Sequence, residues 1–199
     1  MARRSDHSRE EIRELALTAA EALVAEGGHK ALSARKVAAE IGYTVGTLYL
    51  VFENLDDLLL QVNGRTVDAL YDWLSARKGG ERADGQALCV LAEAYIDFAE
   101  QQASRWNMMF DYVAENDQTL PDWYAQKLSR LFSLIEEAFP DKNVDPDMVV
   151  KAARVLWASV HGICLLKIRQ QMDLAGGQST REMTRMLIDN FLAGMRVVS

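Results

Sequence analysis

Leu32-Ser33-Ala34-Arg35-Lys36-Val37-Ala38-Ala39-Glu40-Ile41-Gly42-Tyr43-Thr44-Val45-Gly46-Thr47-Leu48-Tyr49-Leu50-Val51-Phe52 is the stretch on which the reading of this chain turns. It sets two short apolar-periodic segments on either side of Ile41-Gly42-Tyr43-Thr44, and its residue types are those a helix-turn-helix requires. Ala38 is small where two helices cross closely, and Gly42 can take the positive φ of the turn. Val37, Ile41, Leu48 and Val51 are apolar where the pair must pack on a further helix. Such a unit offers the N-terminal part of its second helix to the major groove of DNA. The exposed candidates there are Thr44, Val45, Thr47 and Tyr49. A helical hairpin that merely packs satisfies much of the same pattern, so the pattern alone leaves both readings open.

Upstream, Ser8 followed by Glu11 forms a capping box. Ile12, Leu15, Ala16, Ala19 and Leu23 then line one helix face until Gly27-Gly28 stops the run. The second helix follows Ser33 and ends at Gly42, and the third begins after Thr44 and is expected to reach about Phe52. Downstream, Leu55 to about Arg77 predicts a long fourth helix closed by Lys78-Gly79-Gly80. Further helices are predicted at Gln86 to Gln102, Arg105 to Val113, Pro121 to Phe139, Pro146 to about Gln170 and Thr180 to Val198. The three prolines, Pro121, Pro140 and Pro146, stand where the apolar pattern breaks or restarts. Between them the 3.6-residue period prevails and strand-like alternation is absent. Pro146 behind Asp145 suits a first helical turn, and Ser179 with Glu182 repeats the capping-box signal. The chain therefore reads as all-α, with a three-helix helix-turn-helix head over residues 1–54 and a larger helical body over residues 55–199.

The totals fit that division. A chain of 199 residues is long for one compact domain, and at such a size roughly 70% of the unfolded surface is buried without help from a metal or a disulfide. The net charge of -7 argues against a generally basic nucleic-acid binder, but its distribution matters more. Residues 1–50 hold seven Lys/Arg against seven Asp/Glu, and residues 51–199 hold fifteen against twenty-two, so a neutral head with basic points joins an acidic body. Cys89 and Cys164 stand far apart in apolar stretches, outside any C-x-x-C or cysteine-histidine cluster, and read as small buried thiols. No apolar run approaches the ~20 residues that span a bilayer, and the start Met-Ala-Arg-Arg-Ser-Asp lacks the apolar segment of a signal peptide. The expected address is the cytoplasm, with no membrane partner. His7, His29 and His161 do not cluster, so neither a metal site nor a cofactor is expected. No paired carboxylates, nucleophile with a base, or Gly-rich phosphate loop supports an enzyme, and no catalytic residue is assigned.

The same stretch resembles the DNA-binding segment of tetracycline-repressor (TetR) type regulators, most specifically in Gly46-Thr47-Leu48-Tyr49-x-x-Phe52. The helix from Ser8 sits where that family's first helix sits, and Asp57-Leu58-Leu59 resembles the start of its fourth, so the likeness spans residues 8–60 or so. The resemblance implies that Ser33 caps the second helix and touches phosphate, that Arg35 faces the DNA, and that Thr44 caps the recognition helix. It implies that Thr47 and Tyr49 contact the backbone or base edges and that Gly46 marks a close approach. Lys36 and Val45 complete the expected DNA face, and Phe52 goes to the core. Two positions depart from the family: Leu55 replaces its usual phosphate-binding lysine, and Leu50 stands where many members carry His or Tyr. Phosphate anchoring then rests more on Arg3, Arg4, Arg35, Lys36 and Tyr49. The implied partners are a double-stranded DNA operator, a second copy of the chain matched to a palindromic site, and a small-molecule effector that releases a repressor.

In the body, Trp157-Ala158-Ser159-Val160-His161-Gly162 resembles the Trp-x-x-x-His-Gly (WHG) signature of one TetR C-terminal subgroup. Trp157 and His161 are one turn apart and share a face with Ala153 and Cys164; a lone His on such a face is more often a hydrogen-bonded core residue than a ligand contact. Trp106, Met109 and Phe110, with Tyr95 and Phe98 before them, read as core by composition. The resemblance adds that this region matches the helices lining the family's effector cavity. The expected effector residues are Tyr95, Phe98, Trp106, Met109, Phe110, Trp157 and His161, around a hydrophobic or aromatic molecule. The last two helices are apolar on more than one face and need two partners each. Val160, Leu187 and Phe191 are the expected dimer contacts. Two rival readings are a constitutive DNA-binding dimer without an effector, and a helical enzyme or ligand-binding protein whose head has lost DNA binding. Operator binding weakened by a small molecule separates the leading reading from both.

Overall fold

The structure is a computed structural model that describes residues 7–78, 85–111, 120–141, 143–172, 176–177 and 179–198. Among the described residues the regular structure is helical and no strand occurs. Helix α1 spans Arg9–Gly27. Its start is fixed by the capping box: the Glu11 amide donates to Ser8 Oγ at 3.2 Å and the Ser8 amide donates to Glu11 Oε2 at 2.5 Å. That backbone bond holds the Glu11 carboxyl below its ordinary pKa. Gly28, at φ 67, ends the helix, and one 3-10 turn at His29–Ala31 follows that the sequence reading did not foresee.

Helix α2 covers Ala34–Glu40 and α3 covers Val45–Leu48. The third helix is thus shorter than the expected run to Phe52. After Leu48 the chain closes in turns, the Leu50 amide donating to the Thr47 carbonyl and the Val51 amide to the Leu48 carbonyl, each at 3.1 Å. The turns carry the consecutive residues Val51 and Phe52 into the core together. Then follow α4 (Leu55–Arg77), α5 (Gln86–Gln101), α6 (Ala103–Asp111), α7 (Asp122–Glu137), α8 (Pro146–Ile168) and α9 (Thr180–Val198). These agree with the sequence expectations within one to two residues at most ends. The expected end of α6 at Val113 and the arm residues Arg3 and Arg4 lie outside the described residues.

The chain forms two compact units, Met1–Thr66 with Gln102–Leu120, and Val67–Gln101 with Pro121–Ser199. The unit that holds the helix-turn-helix therefore takes in more than residues 1–54, adding the first half of α4 and all of α6. Its core joins Ala16, Ala20 and Val24 of α1 to Val37, Leu48, Val51, Phe52, Leu58, Val62 and Met108. Leu55 packs against that core, which accounts physically for an apolar residue at the start of α4. On the surface of this unit, Glu21 of α1 lies 2.7 Å from Arg105 of α6 and 3.5 Å from Arg65 of α4.

In the second unit α8 packs on α5, α7 and α9. Ala152, Leu156, Val160 and Cys164 form its inward stripe, at the i, i+4 spacing of one helix face. Asp145 caps α8 by accepting from the Asp147 amide at 3.1 Å, with Pro146 in the first turn as expected. One expectation is corrected here. At 23 residues α8 is long and apolar enough to cross a bilayer by length and composition, although it carries Lys151, Arg154 and Lys167 and packs on three helices of its own unit. Cys89 and Cys164 are buried free thiols, and burial raises both pKa values, that of Cys164 to about 12.

Candidate nucleic-acid interface and apolar cavity

The helix-turn-helix is held by short-range devices. Ser33 Oγ accepts from the Lys36 amide at 3.3 Å and Thr44 Oγ1 accepts from the Thr47 amide at 3.2 Å, so each helix has its side-chain N-cap. Gly42 makes the reversal at φ 71, and a Cβ there would meet nothing within 4 Å. Conformation rather than space demands the glycine, since a side chain in this left-handed region costs about 1–2 kcal/mol. Thr44 and Thr47 bring their hydroxyls within 3.0 Å of each other.

With Val37, Leu48, Val51 and Phe52 turned inward, the outer edge of α2 and α3 exposes Arg35, Lys36, Thr44, Gly46, Tyr49 and Leu50 and partly exposes Ser33, Val45 and Thr47. All eight residues expected on the DNA face thus lie on the surface of one unit, and Leu50 joins them. Lys36 Nζ donates to the Ala31 carbonyl at 2.9 Å, an exposed bond. Gly46 differs from Gly42: a Cβ at this position would sit 3.7 Å from Thr44 Oγ1, an ordinary contact, so the fold itself does not require glycine there. One contact has no counterpart in the sequence pattern. His7 Nδ1 lies 2.8 Å from the Tyr43 hydroxyl and ties the start of α1 to the turn. No local signal connects residues so far apart in the chain.

In the second unit, the end of α4 with α5, α7 and α8 lines an apolar, partly open cavity of about 40 Å³. Leu74, Leu91, Tyr95, Phe132, Leu156 and Trp157 form much of its wall, and Val160 completes it on the α8 side. The Tyr95 hydroxyl lies 2.9 Å from His161 Nδ1. Trp157 lies over His161 at 5.4 Å with 31° between the rings and meets Phe132 edge-on at 5.4 Å. Arg154 covers the outer side of this stack, 3.7 Å from the Phe132 ring centre and 2.8 Å from Glu136 Oε1. Burial holds the His161 imidazole below its ordinary pKa, which favours the neutral ring near neutral pH.

Of the expected effector residues, the structure brings Tyr95, Trp157 and His161 together. Phe98 is buried in the same unit but packs edge-on against Trp73 at 6.1 Å and is not part of the wall. Trp106, Met109 and Phe110 belong to α6 in the first unit, where the Trp106 and Phe110 rings lie 4.9 Å apart. The leucines of α5 and the α7 pair Leu131 and Phe132 were not singled out from the sequence. Their helical spacing was the available signal, and it marks any core helix equally. The expected dimer contact Val160 is 4% exposed and faces the cavity of its own unit, because it shares the inward stripe of Leu156 and Cys164. Leu187 and Phe191 are half-buried, while Val155 and Met186 stand exposed on α8 and α9.

Two capped helices, a glycine reversal and an outward edge with basic, hydroxyl and aromatic side chains define a helix-turn-helix protein. Residues 16–62 match the family model described as bacterial regulatory proteins, tetR family, and residues 88–191 match that of the tetracyclin repressor-like C-terminal domain. An uncharacterized HTH-type transcriptional regulator of Mycobacterium tuberculosis (strain ATCC 25618 / H37Rv) is 28% identical over 87% of this chain and 76% of its own. Among solved structures, a protein of unknown function from Rhodococcus sp. RHA1 superposes with a TM-score of 0.75 at 20% identity, covering 97% of this chain and 98% of that one. The multidrug binding protein EbrR, complexed with imidazole, gives a TM-score of 0.64 at 22% identity over 94% and 96% of the two chains. The chain belongs to the TetR family of DNA-binding transcriptional regulators.

Proposed function

We propose that the protein is a cytoplasmic repressor that binds a palindromic operator as a homodimer and is released from it by a small hydrophobic or aromatic effector held in the second unit. The observation that carries this reading is the apolar cavity walled by Tyr95, Phe132, Leu156 and Trp157 in a chain whose other unit exposes a capped helix-turn-helix. The polar pair Tyr95 and His161 beside an otherwise apolar wall suits a ligand with few hydrogen-bonding groups. At about 40 Å³ the space holds little more than a few waters, so effector entry must move side chains, and such movement is what couples binding to a change of shape. The imidazole bound to EbrR, a protein of the same fold, is a small heteroaromatic ring, which agrees with that ligand class. The exposed apolar residues Val155 and Met186, with half-buried Leu187 and Phe191, supply an unpaired face on α8 and α9 for a second copy. Two-fold pairing matches the two half-sites of a palindrome.

The test uses the full chain and a duplex selected from genomic fragments by the protein itself. Neutral aromatic compounds titrated into the complex are expected to release the duplex, and Ala92→Phe, which fills the cavity, is expected to abolish release while leaving duplex affinity within about twofold. Release that survives Ala92→Phe and parallel cavity-filling changes at Leu91 and Leu131 would remove the effector from this cavity. Phe191→Asp is expected to shift the chain to monomer in sedimentation; a folded dimer carrying that change would place the interface elsewhere.

A further inference from the structure

From Thr44 to Phe52 the chain contains no Arg, Lys, Asn, Gln, Asp or Glu, the charged and amide side chains that pair with base edges in the major groove, so Thr44 and Thr47 are the only aliphatic hydroxyl groups there. The hydroxyls of Thr44 and Thr47 face each other at 3.0 Å, and that of Thr44 also accepts the Thr47 amide. Apart from these two threonines, what projects is apolar or aromatic. Leu50 is 63% exposed, the most of any large hydrophobic side chain among the described residues, Tyr49 is 44% exposed, and Val45 is partly exposed. Leu50 does not serve the core, because the following Val51 and Phe52 take the inward places at 6% and 2%. A branched aliphatic side chain on the edge of a helix-turn-helix has one apolar partner on the base edges of the major groove, the C5-methyl of thymine.

We propose that Val45 and Leu50 read thymine through its 5-methyl group, so that α3 and the turn after it select their half-site by methyl placement and groove shape instead of by paired hydrogen bonds. The inference rests on the DNA-binding reading of this edge. It also gives Leu50, a departure from the family's usual residues, a task of its own. Arg35 and Lys36 on α2 hold the backbone and fix the register within which the methyl groups are met.

The experiment needs no prior operator. The protein selects a duplex from a random-sequence library, and that duplex is resynthesised with deoxyuridine for thymidine at each position in turn, which removes the methyl and nothing else. Two positions per half-site are expected to weaken binding about threefold to fivefold on losing the methyl, the size of one apolar carbon withdrawn from water at ~0.8 kcal/mol. Leu50→Ala is expected to bind the thymine and uracil forms alike at one of these positions and Val45→Ala at the other, while both variants retain the wild-type circular dichroism. If the uracil duplexes bind as tightly as the parent throughout, or if both variants keep the wild-type discrimination, methyl reading is wrong and DNA binding stands. If the library yields no enriched duplex, DNA binding by this edge fails, and methyl reading with it.

Discussion

The outer edge of α2 and α3 and the cavity of the second unit are built on opposite plans. The edge is made within twenty or so residues by two hydroxyl caps and a glycine reversal, and its working side chains point to solvent. The cavity draws its wall from four helices between Leu74 and Val160, and the side chains of that wall also pack those helices together. The difference lies in how function and stability are shared. On the edge a side chain can be removed without touching a packed contact, so binding and folding are separable. At the cavity, wall residues such as Leu74, Leu91 and Leu156 are also buried core, so a change there alters packing and any binding together.

The strongest way to break this contrast is Leu156→Ala. Leu156 is 3% exposed and lies on the cavity wall, so the change is expected to lower the unfolding free energy by about 2–5 kcal/mol and to admit larger effectors. Denaturant unfolding measures the first and ligand titration the second; undiminished stability would show that the wall is not part of the packed core. Gly46→Ala sharpens the contrast from the other side. An alanine fits beside Thr44 and favours the helix, so stability is expected to hold or rise by up to ~1 kcal/mol, while DNA affinity drops about tenfold as the added methyl keeps the backbone off the duplex. Unchanged affinity in fluorescence anisotropy would remove α3 from close approach.

Arg35→Ala and Lys36→Ala come next in size. Each is expected to weaken binding to all duplexes, to lower the salt slope by about one for each phosphate no longer neutralised, and to leave the melting temperature almost untouched, since both side chains are exposed. Salt slopes equal to the wild type for both variants would take α2 off the DNA backbone. The smallest effect concerns pH. Burial lowers the pKa of His161 in the folded chain below its ordinary 6.5, so below about pH 6.5 the unfolded chain binds more protons and stability is lost as pH falls toward the folded pKa. Above that window His161 contributes no slope. His161→Asn is therefore expected to flatten this part of the acid loss of melting temperature, and overlapping wild-type and variant profiles from pH 8 to pH 5 would contradict it.

The two regions were also unequally legible in the sequence. Ser8 with Glu11, Ser33, Thr44 and Gly42 could be assigned because each acts on backbone groups three or four residues away. The length of α3 could not, because Tyr49-Leu50-Val51-Phe52 is compatible with a continued helix and no glycine, proline or capping side chain in it marks the change to turns. In the body, Trp157 and His161 stand out by a local signature and by spacing, and Tyr95 only by its place beside an aromatic cluster that the family resemblance sets near the effector cavity. Trp106, Met109 and Phe110 look the same by composition, yet they serve the first unit. Which aromatic cluster meets which helix depends on contacts between distant segments, and periodicity carries no information about those. Val160 shows the same limit within a single helix: an apolar α8 has more than one apolar face, and only the packed neighbours decide which one turns inward.

The discontinuity of the first unit bears on how the protein is made and how it can be re-engineered. Its core includes Met108, and α6 packs on α1 and on the turn at His29–Ala31, so the unit is completed by chain that leaves the ribosome after all of α4 and α5. A nascent chain ending near residue 60 has every element of the helix-turn-helix but lacks the helix that covers α1. The same holds for a graft that moves residues 1–54 onto another body: it carries the outer edge of α2 and α3 away from Met108 and leaves the apolar residues it covered facing water. Exchange of DNA specificity between relatives is therefore better attempted by replacing the surface residues from Arg35 to Leu50 in place than by cutting the chain after the recognition helix.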